Sequence, residues 1–221
     1  MKTAIVTGSS KGVGHATVKC LLDNGYRVIA VSRNIEKLKE INSDNLDIYQ
    51  LDITNMDGIK TFYNKYSDIA LDLLVHNAGG GASPTYLINE KPENFHIAYA
   101  INVVAPMYMS QLFVPNMKKS DSPTIVFVSS LGGKYPYPSG GNYTNAKRGM
   151  RGLVDTMRLE YPEFNIKVTE ICPGTIDTQT EKREKAVTAE DMAETIRWVA
   201  SLPSHVNINQ IEIGHIHTQK F

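Results

Sequence analysis

The chain predicts an α/β fold: one doubly wound parallel sheet of about seven strands with helices on both faces, forming a single domain over residues 1–221. Three observations carry this expectation. Short β-branched runs alternate with stretches of helical periodicity, the signature of consecutive βαβ units. The run at 71–76 (LDLLVH) is almost continuously apolar, as a strand covered on both faces must be. A glycine-rich turn stands where the first strand would meet the first helix. A chain of 221 residues suits one such domain and can bury a sizeable core without disulfides or metals.

The elements follow in order. Residues 3–7 (TAIVT) read as the first strand. Val13, Ala16, Thr17, Cys20 and Leu21 recur at helical spacing, with Gly25 suited to the helix end. Residues 26–32 form a second strand, 36–41 a helix, 46–51 a third strand, 57–66 a helix and 71–76 a fourth strand. The stretch 92–117 reads as helical in two pieces meeting near Asn102 to Pro106. Residues 124–129 (TIVFVS) form a fifth strand, and Ala146, Met150, Leu153, Val154 and Met157 give the next helix an apolar stripe. Residues 166–171 form a sixth strand. Thr188 to Asp191 resembles a capping box opening a helix through Val199, and 208–213 form the seventh strand.

Composition narrows the function. Lysine plus arginine balances aspartate plus glutamate, 23 against 23, so the broad basic field of a nucleic-acid-binding protein is missing. Cys20 and Cys172 are the two cysteines and form no CxxC pair, so no metal site is expected. The chain runs from Met1 directly into a strand, and no apolar run reads as membrane-spanning. A cytoplasmic enzyme with a small-molecule substrate, and neither a membrane nor a nucleic-acid partner, is the expectation.

Ligands of doubly wound sheets bind beyond the carboxyl ends of the strands. There the sequence places Gly8, Ser10, Lys11, Gly12, Val13 and Gly14, a G-x-x-x-G-x-G turn opening the first helix. Glycines let the backbone approach a pyrophosphate, and the helix N-terminus offers free N–H groups and a positive dipole end. Asp52 follows the third strand, Asn77-Ala78-Gly79 the fourth and Pro173-Gly174 the sixth. Ser130 ends the fifth strand, thirteen residues before Tyr143 of a Y-x-x-x-K motif closed by Lys147, and Asn102 lies in the preceding helical stretch.

Together, in this order, these features resemble the short-chain dehydrogenase/reductase family, whose fold is Rossmann-like. The resemblance implies that Asp52, with Ile53, meets the adenine ring. It implies that Asn77, Ala78 and Gly79 line the cofactor, and that Pro173, Gly174, Ile176 and Thr178 pack near the nicotinamide. It further implies that Ser130, Tyr143, Lys147 and Asn102 are catalytic, with Lys147 also holding the ribose hydroxyls and Asn102 a water that replenishes protons. Two departures stand out. His76 occupies a position where the family often has asparagine, and Gly80-Gly81 extend the Asn77-Ala78-Gly79 run, suggesting a loosely held loop. The substrate-loop region, 175–187, is short and charged.

The residue types suit hydride transfer to or from a carbonyl carbon. A free tyrosine has a pKa of about 10, too high for efficient proton transfer near neutrality. Lys147 lies four residues on, on the same helix face, where its ammonium favours phenolate. Ser130, preferred over Ser129 on spacing, can donate to the substrate oxygen. An acid after the second strand would bind the ribose 2′-hydroxyl of NAD, whereas Arg33 stands there with Asn34. Arg33 and Lys11 can both meet a 2′-phosphate, so NADP(H) is expected over NAD(H). The reading is an NADP(H)-dependent oxidoreductase, with a catalytically silent cofactor sensor on the same fold as the alternative. Tyr135 and Tyr137 are expected to wall the substrate cleft, and His215 and His217 to be surface residues. Val103, Val104, Met107, Met109, Leu112 and Phe113, with Met150, Leu153, Val154 and Met157, exceed what one sheet face obviously needs. This surplus suggests a homodimer or homotetramer.

Overall fold

A computed structural model of the chain describes residues 1–177 and 185–218. Its main sheet has seven parallel strands in the order β3-β2-β1-β4-β5-β6-β9. These are β1 (Thr3–Thr7), β2 (Arg27–Ser32), β3 (Leu46–Gln50), β4 (Leu73–His76), β5 (Thr124–Val128), β6 (Lys167–Pro173) and β9 (Gln210–Ile213). A two-stranded pair, β7 (Ile176–Asp177) with β8 (Val187–Thr188), stands apart from it. The order reverses between β1 and β4, which pair directly with Ile5 opposite Leu74. The crevice of a doubly wound sheet opens at such a reversal.

Each β-branched run becomes a strand because both of its faces are covered: β1, β4, β5 and β6 are buried along their whole lengths. One core layer packs α1 (Gly12–Asp23) and α7 (Ala189–Ser201) on the sheet, joining Val18 and Leu21 to Ile196 and Val199. The other packs α3 (Met56–Lys65), α5 (Ala105–Met117) and α6 (Gly141–Glu160), joining Phe62 and Phe113 to Met150 and Val154. The remaining helices are α2 (Glu36–Lys39) and α4 (Pro92–Tyr99). The capping box is present: Thr188 Oγ1 accepts from Asp191 N, and Asp191 Oδ2 accepts from Thr188 N, both at 3.0 Å.

Several expectations are corrected. The 92–117 stretch is helical in two pieces, α4 and α5, as expected, but they meet without a break through a π-helical turn, Ala100–Val104, because one inserted residue fits an α-helix without ending it. The resulting 26-residue helix is long and apolar enough, by length and composition alone, to cross a membrane. Dividing it in the sequence concealed that property. Its apolar inner face, including Met109, Phe113 and Met117, is spent on the sheet. The apolar surplus is likewise smaller than expected, since Met109, Phe113, Met150, Val154 and Met157 are all core residues. Val104 and Met107 remain exposed, at 42% and 39%. The pair β7–β8 had no signal in the sequence, because two residues set no periodicity.

Candidate active site

The carboxyl ends of β1, β2, β4, β5 and β6 border one cleft of about 760 Å3. At its floor the glycine turn is locked to the loop after β4. Gly8 has φ +66°, and a Cβ there would lie 2.7 Å from Ala78 Cα. A Cβ on Gly14 would lie 2.3 Å from the Gly8 carbonyl oxygen. Glycine is therefore required at both positions, at Gly8 by conformation and contact and at Gly14 by contact alone. Thr7 Oγ1 accepts the N–H groups of Asn77 and Ala78, each at 3.1 Å. Asn77 Nδ2 donates to the carbonyls of Thr7 and Gly8, each at 3.0 Å. Asn77 is thus a strut beneath the cradle as well as part of its lining.

Ser10, Lys11, Gly12 and Val13 line the cleft, as do Ile53, Ala78, Gly79, Pro173, Gly174 and Ile176. Gly14 supports the turn from behind, and Thr178 lies outside the described residues. The far end of the cleft is cationic. Lys11, Arg33 and Lys37 all border it, with Asn34 between them. Arg33 Nη1 stands 4.0 Å from Asp52 Oδ2, and the Arg33 side chain is 73% exposed. Asp52 Oδ1 accepts from the backbone and hydroxyl of Thr54, which holds its carboxyl below the usual range. Lys37 escaped the sequence reading. Its signal was its position four residues after Arg33, inside a helix too short to have a readable face.

At the other end, Ser130, Tyr143 and Lys147 converge. Ser130 caps a 3-10 turn, its Oγ accepting from Gly132 N at 3.0 Å. Its hydroxyl, and not that of Ser129, stands close enough to the Tyr143 phenol to favour the ionised form. Lys147, one turn along α6, is 3% exposed and donates from Nζ to the Val128 carbonyl at 2.9 Å. Its Nζ lies 5.8 Å from the centroid of the Tyr143 ring. The electrostatics differ from the expected lysine-activated phenol. Burial pushes the Tyr143 hydroxyl up, opposed by the Ser130 hydroxyl, and burial brings the Lys147 ammonium down to about 8. Desolvation outweighs the helix-turn proximity because both groups are buried.

Asn102 is fully buried in the π turn. Its Nδ2 donates to the carbonyls of Gly80 at 2.7 Å and Ala98 at 2.8 Å, and its Oδ1 accepts from Gly80 N at 3.4 Å. A Cβ on Gly79 would stand 2.9 Å from both Asn102 Oδ1 and Lys147 Nζ, so that glycine alone separates the two groups. The glycine loop is not loosely held. Besides the Asn102 bonds, Ala82 N donates to Asn142 Oδ1 at 3.1 Å, and Asn142 Nδ2 donates to Glu90 Oε2 at 2.6 Å. Tyr137, 49% exposed, lies beside Tyr143 and packs against Gly132 and Gly140, and Tyr135, 44% exposed, lies under Lys134; neither tyrosine lines the cleft, contrary to expectation. His215 and His217 stack with ring centroids 5.4 Å apart and do not line the cleft.

Comparison with known proteins shows the family and the fold. The model of the short chain dehydrogenase family matches residues 2–189. An NADP-dependent 3-hydroxy acid dehydrogenase of Shigella flexneri is 30% identical, with 95% of this chain and 93% of that protein covered. Among solved structures, the closed form of a serine dehydrogenase complexed with NADP+ has a TM-score of 0.90 at 27% identity, covering 99% of this chain and 96% of that one. A serine dehydrogenase from Escherichia coli has a TM-score of 0.88 at 28% identity, covering 99% and 100%.

Proposed function

The chain belongs to the short chain dehydrogenase family, and from that premise we propose that it is an NADP(H)-dependent oxidoreductase interconverting a carbonyl compound and its alcohol, with Tyr143 as general acid/base. One observation carries the reading: the cleft has a glycine-built, cation-rimmed end and an end where Ser130, Tyr143 and Lys147 meet. The residues fit a dinucleotide. The Gly8-Gly14 contact leaves room for no side chain where a pyrophosphate would approach, and Lys11, Arg33 and Lys37 suit the 2′-phosphate that distinguishes NADP. The Shigella flexneri relative is NADP-dependent by its name and one of the serine dehydrogenase structures is complexed with NADP+, which supports the same choice.

NADPH, when bound, supplies the hydride. In the reducing direction Ser130 donates a hydrogen bond to the carbonyl oxygen, polarising it. Tyr143 delivers its proton to that oxygen as negative charge develops there. Lys147 would hold the ribose hydroxyls of a bound cofactor, and its ammonium stabilises the phenolate left behind. Asn102, holding Gly80 and facing Lys147 across Gly79, keeps the path for proton return in place. The oxidising direction reverses each step. Hydroxy acids and their oxo forms are the first substrate class to assay, because a relative acts on 3-hydroxy acids by its name.

The chain is further read as a single cytoplasmic domain and as a homodimer or homotetramer. Ile97, Tyr99, Val104 and Met107, exposed between 38% and 53% along α4, the π turn and α5, support an apolar interface. NADPH consumption against aldehydes, ketones and 3-oxo acids tests the activity. Turnover with at least one class, absent in Tyr143→Phe, is expected; no turnover with any class across neutral pH would favour the silent sensor.

A further inference from the structure

Behind the catalytic end lies a buried carboxylate with no role in the reaction just described. Glu170 interrupts the apolar run of β6 and is 1% exposed. Ile171 beside it packs into the α1–α7 layer and Val168 into the layer beneath α6. Alternation along the strand therefore turns Glu170 and Cys172 toward the α6 side. Gln210 Nε2 reaches both, at 2.8 Å to Glu170 Oε2 and 3.3 Å to Cys172 Sγ. Glu170 sits opposite Phe127 in the β5–β6 register, one position before Val128, whose carbonyl receives the Lys147 ammonium. Among the described residues Glu170 makes no ion pair within 4.0 Å; its hydrogen-bond partners are neutral, the Gln210 amide and the Cys172 thiol.

A buried ammonium and a buried carboxylate on the same side of one sheet are each costly alone and far less so together. We propose that Glu170 is the counter-charge of Lys147, a positioning residue that keeps this lysine an ammonium through the pH range in which the enzyme works. Its catalytic consequence rests on the function proposed above; the charge pairing does not. The groups facing Lys147 are Glu170 and Cys172 from β6, Tyr143 from its own helix, the Val128 carbonyl from β5 and neutral Asn102 across Gly79. The Cys172 thiol and the Glu170 carboxylate both oppose the fall that burial imposes on the ammonium. Burial pushes the thiol up to about 12, so it is uncharged at neutral pH, and Glu170 is the carboxylate among the groups facing Lys147.

The test reads Lys147 directly. Protein carrying 13C-labelled lysine is titrated by NMR without cofactor, with Lys147→Arg identifying the resonance. The expected midpoint is about 8 for the unmodified chain. Glu170→Gln should lower it by about one pH unit, a tenfold change in ionisation constant. Glu170→Met, which leaves no buried polar group, should do the same if the glutamine variant does not fold. Glu170→Asp, with its charge withdrawn by one methylene, should fall between. Gln210→Met removes the hydrogen bond but not the charge, and should leave the midpoint in place. The alkaline limb of kcat/KM for carbonyl reduction should move to lower pH alongside the midpoint. A midpoint independent of residue 170 overturns the proposal. A midpoint that moves while the limb stays supports the pairing and counts against the catalytic role given to Lys147.

Discussion

The Lys147 ammonium is held by the carbonyl of Val128 at 2.9 Å, nineteen residues back in the chain. This bond ties α6 to the last residue of β5, where the strand ladder ends, and fixes the helix turn that carries Tyr143. Burial holds the Tyr143 phenol above its ordinary value, with Ser130 as the group pulling the other way.

Tyr143→Phe should lower kcat at least about a hundredfold, because general acid/base catalysis is typically worth that much or more. NADPH affinity should stay within a few-fold, since the ring is kept. Lys147→Ala should weaken both turnover and cofactor binding. It should also cost about 1 kcal/mol of stability through the lost Val128 bond. Fluorescence titration beside steady-state kinetics separates the effects, and substantial turnover in Tyr143→Phe would remove the tyrosine from its assigned role.

Arg33 and Lys37 should set cofactor choice together. Arg33→Asp is expected to weaken NADPH about tenfold or more while sparing NADH, because the new carboxylate repels a phosphate and accepts from a ribose hydroxyl. Lys37→Ala should weaken NADPH alone, by a smaller factor, as a charge bordering the same end of the cleft. Tighter binding of NADH than NADPH by the unmodified protein would contradict both assignments.

Two glycines separate cradle from chemistry. Gly14→Ala would drive a Cβ to 2.3 Å from the Gly8 oxygen and 2.4 Å from Asn77 Nδ2, and should destabilise the fold by about 1–3 kcal/mol. Gly79→Ala would meet Asn102 Oδ1 and Lys147 Nζ, both at 2.9 Å. The lysine end can shift, so a smaller loss of stability and a larger loss of kcat are expected. Thermal melts and kinetics on the pair check this; a Gly79→Ala enzyme with unchanged kcat would show that the Asn102–Lys147 spacing is unimportant.

The strands of the main sheet were legible because each is a β-branched run bounded by turn residues. The residues lining the cleft were legible because a parallel sheet delivers its strand ends to one edge. What escaped shares a different origin. The π turn at Ala100–Val104 inserts one residue into a helical pattern, which leaves no mark on periodicity. The restraint of Gly80 and Ala82 comes from Asn102 and Asn142, 22 and 60 residues away. The burial that raises Tyr143 and lowers Lys147 belongs to packed layers, where the helix spacing alone had suggested a phenol lowered by its lysine. Local signals were readable; long-range desolvation was not.

His76, the departure noted at the end of β4, should make the fold acid-sensitive. It is 1% exposed, its Nε2 lies 2.8 Å from Ser110 Oγ, and its ring stacks at 4.7 Å on Phe127. Burial brings its pKa down to about 3, against about 6.5 in the unfolded chain. Between those values the unfolded state binds a proton that the native state refuses. Stability therefore falls as pH falls from about 6.5 toward 3, with a slope approaching 1.4 kcal/mol per pH unit. Between pH 7 and pH 5 the loss from this residue is about 2 kcal/mol. Asparagine at this site has no such titration, so His76→Asn should lose about that much less stability over the same interval, whatever it costs at pH 7. His15, also pushed down by burial, titrates in both proteins and drops out of the comparison. Urea unfolding of both proteins at the two pH values measures the difference, and parallel pH dependence would mean that His76 takes up its proton without unfolding the chain.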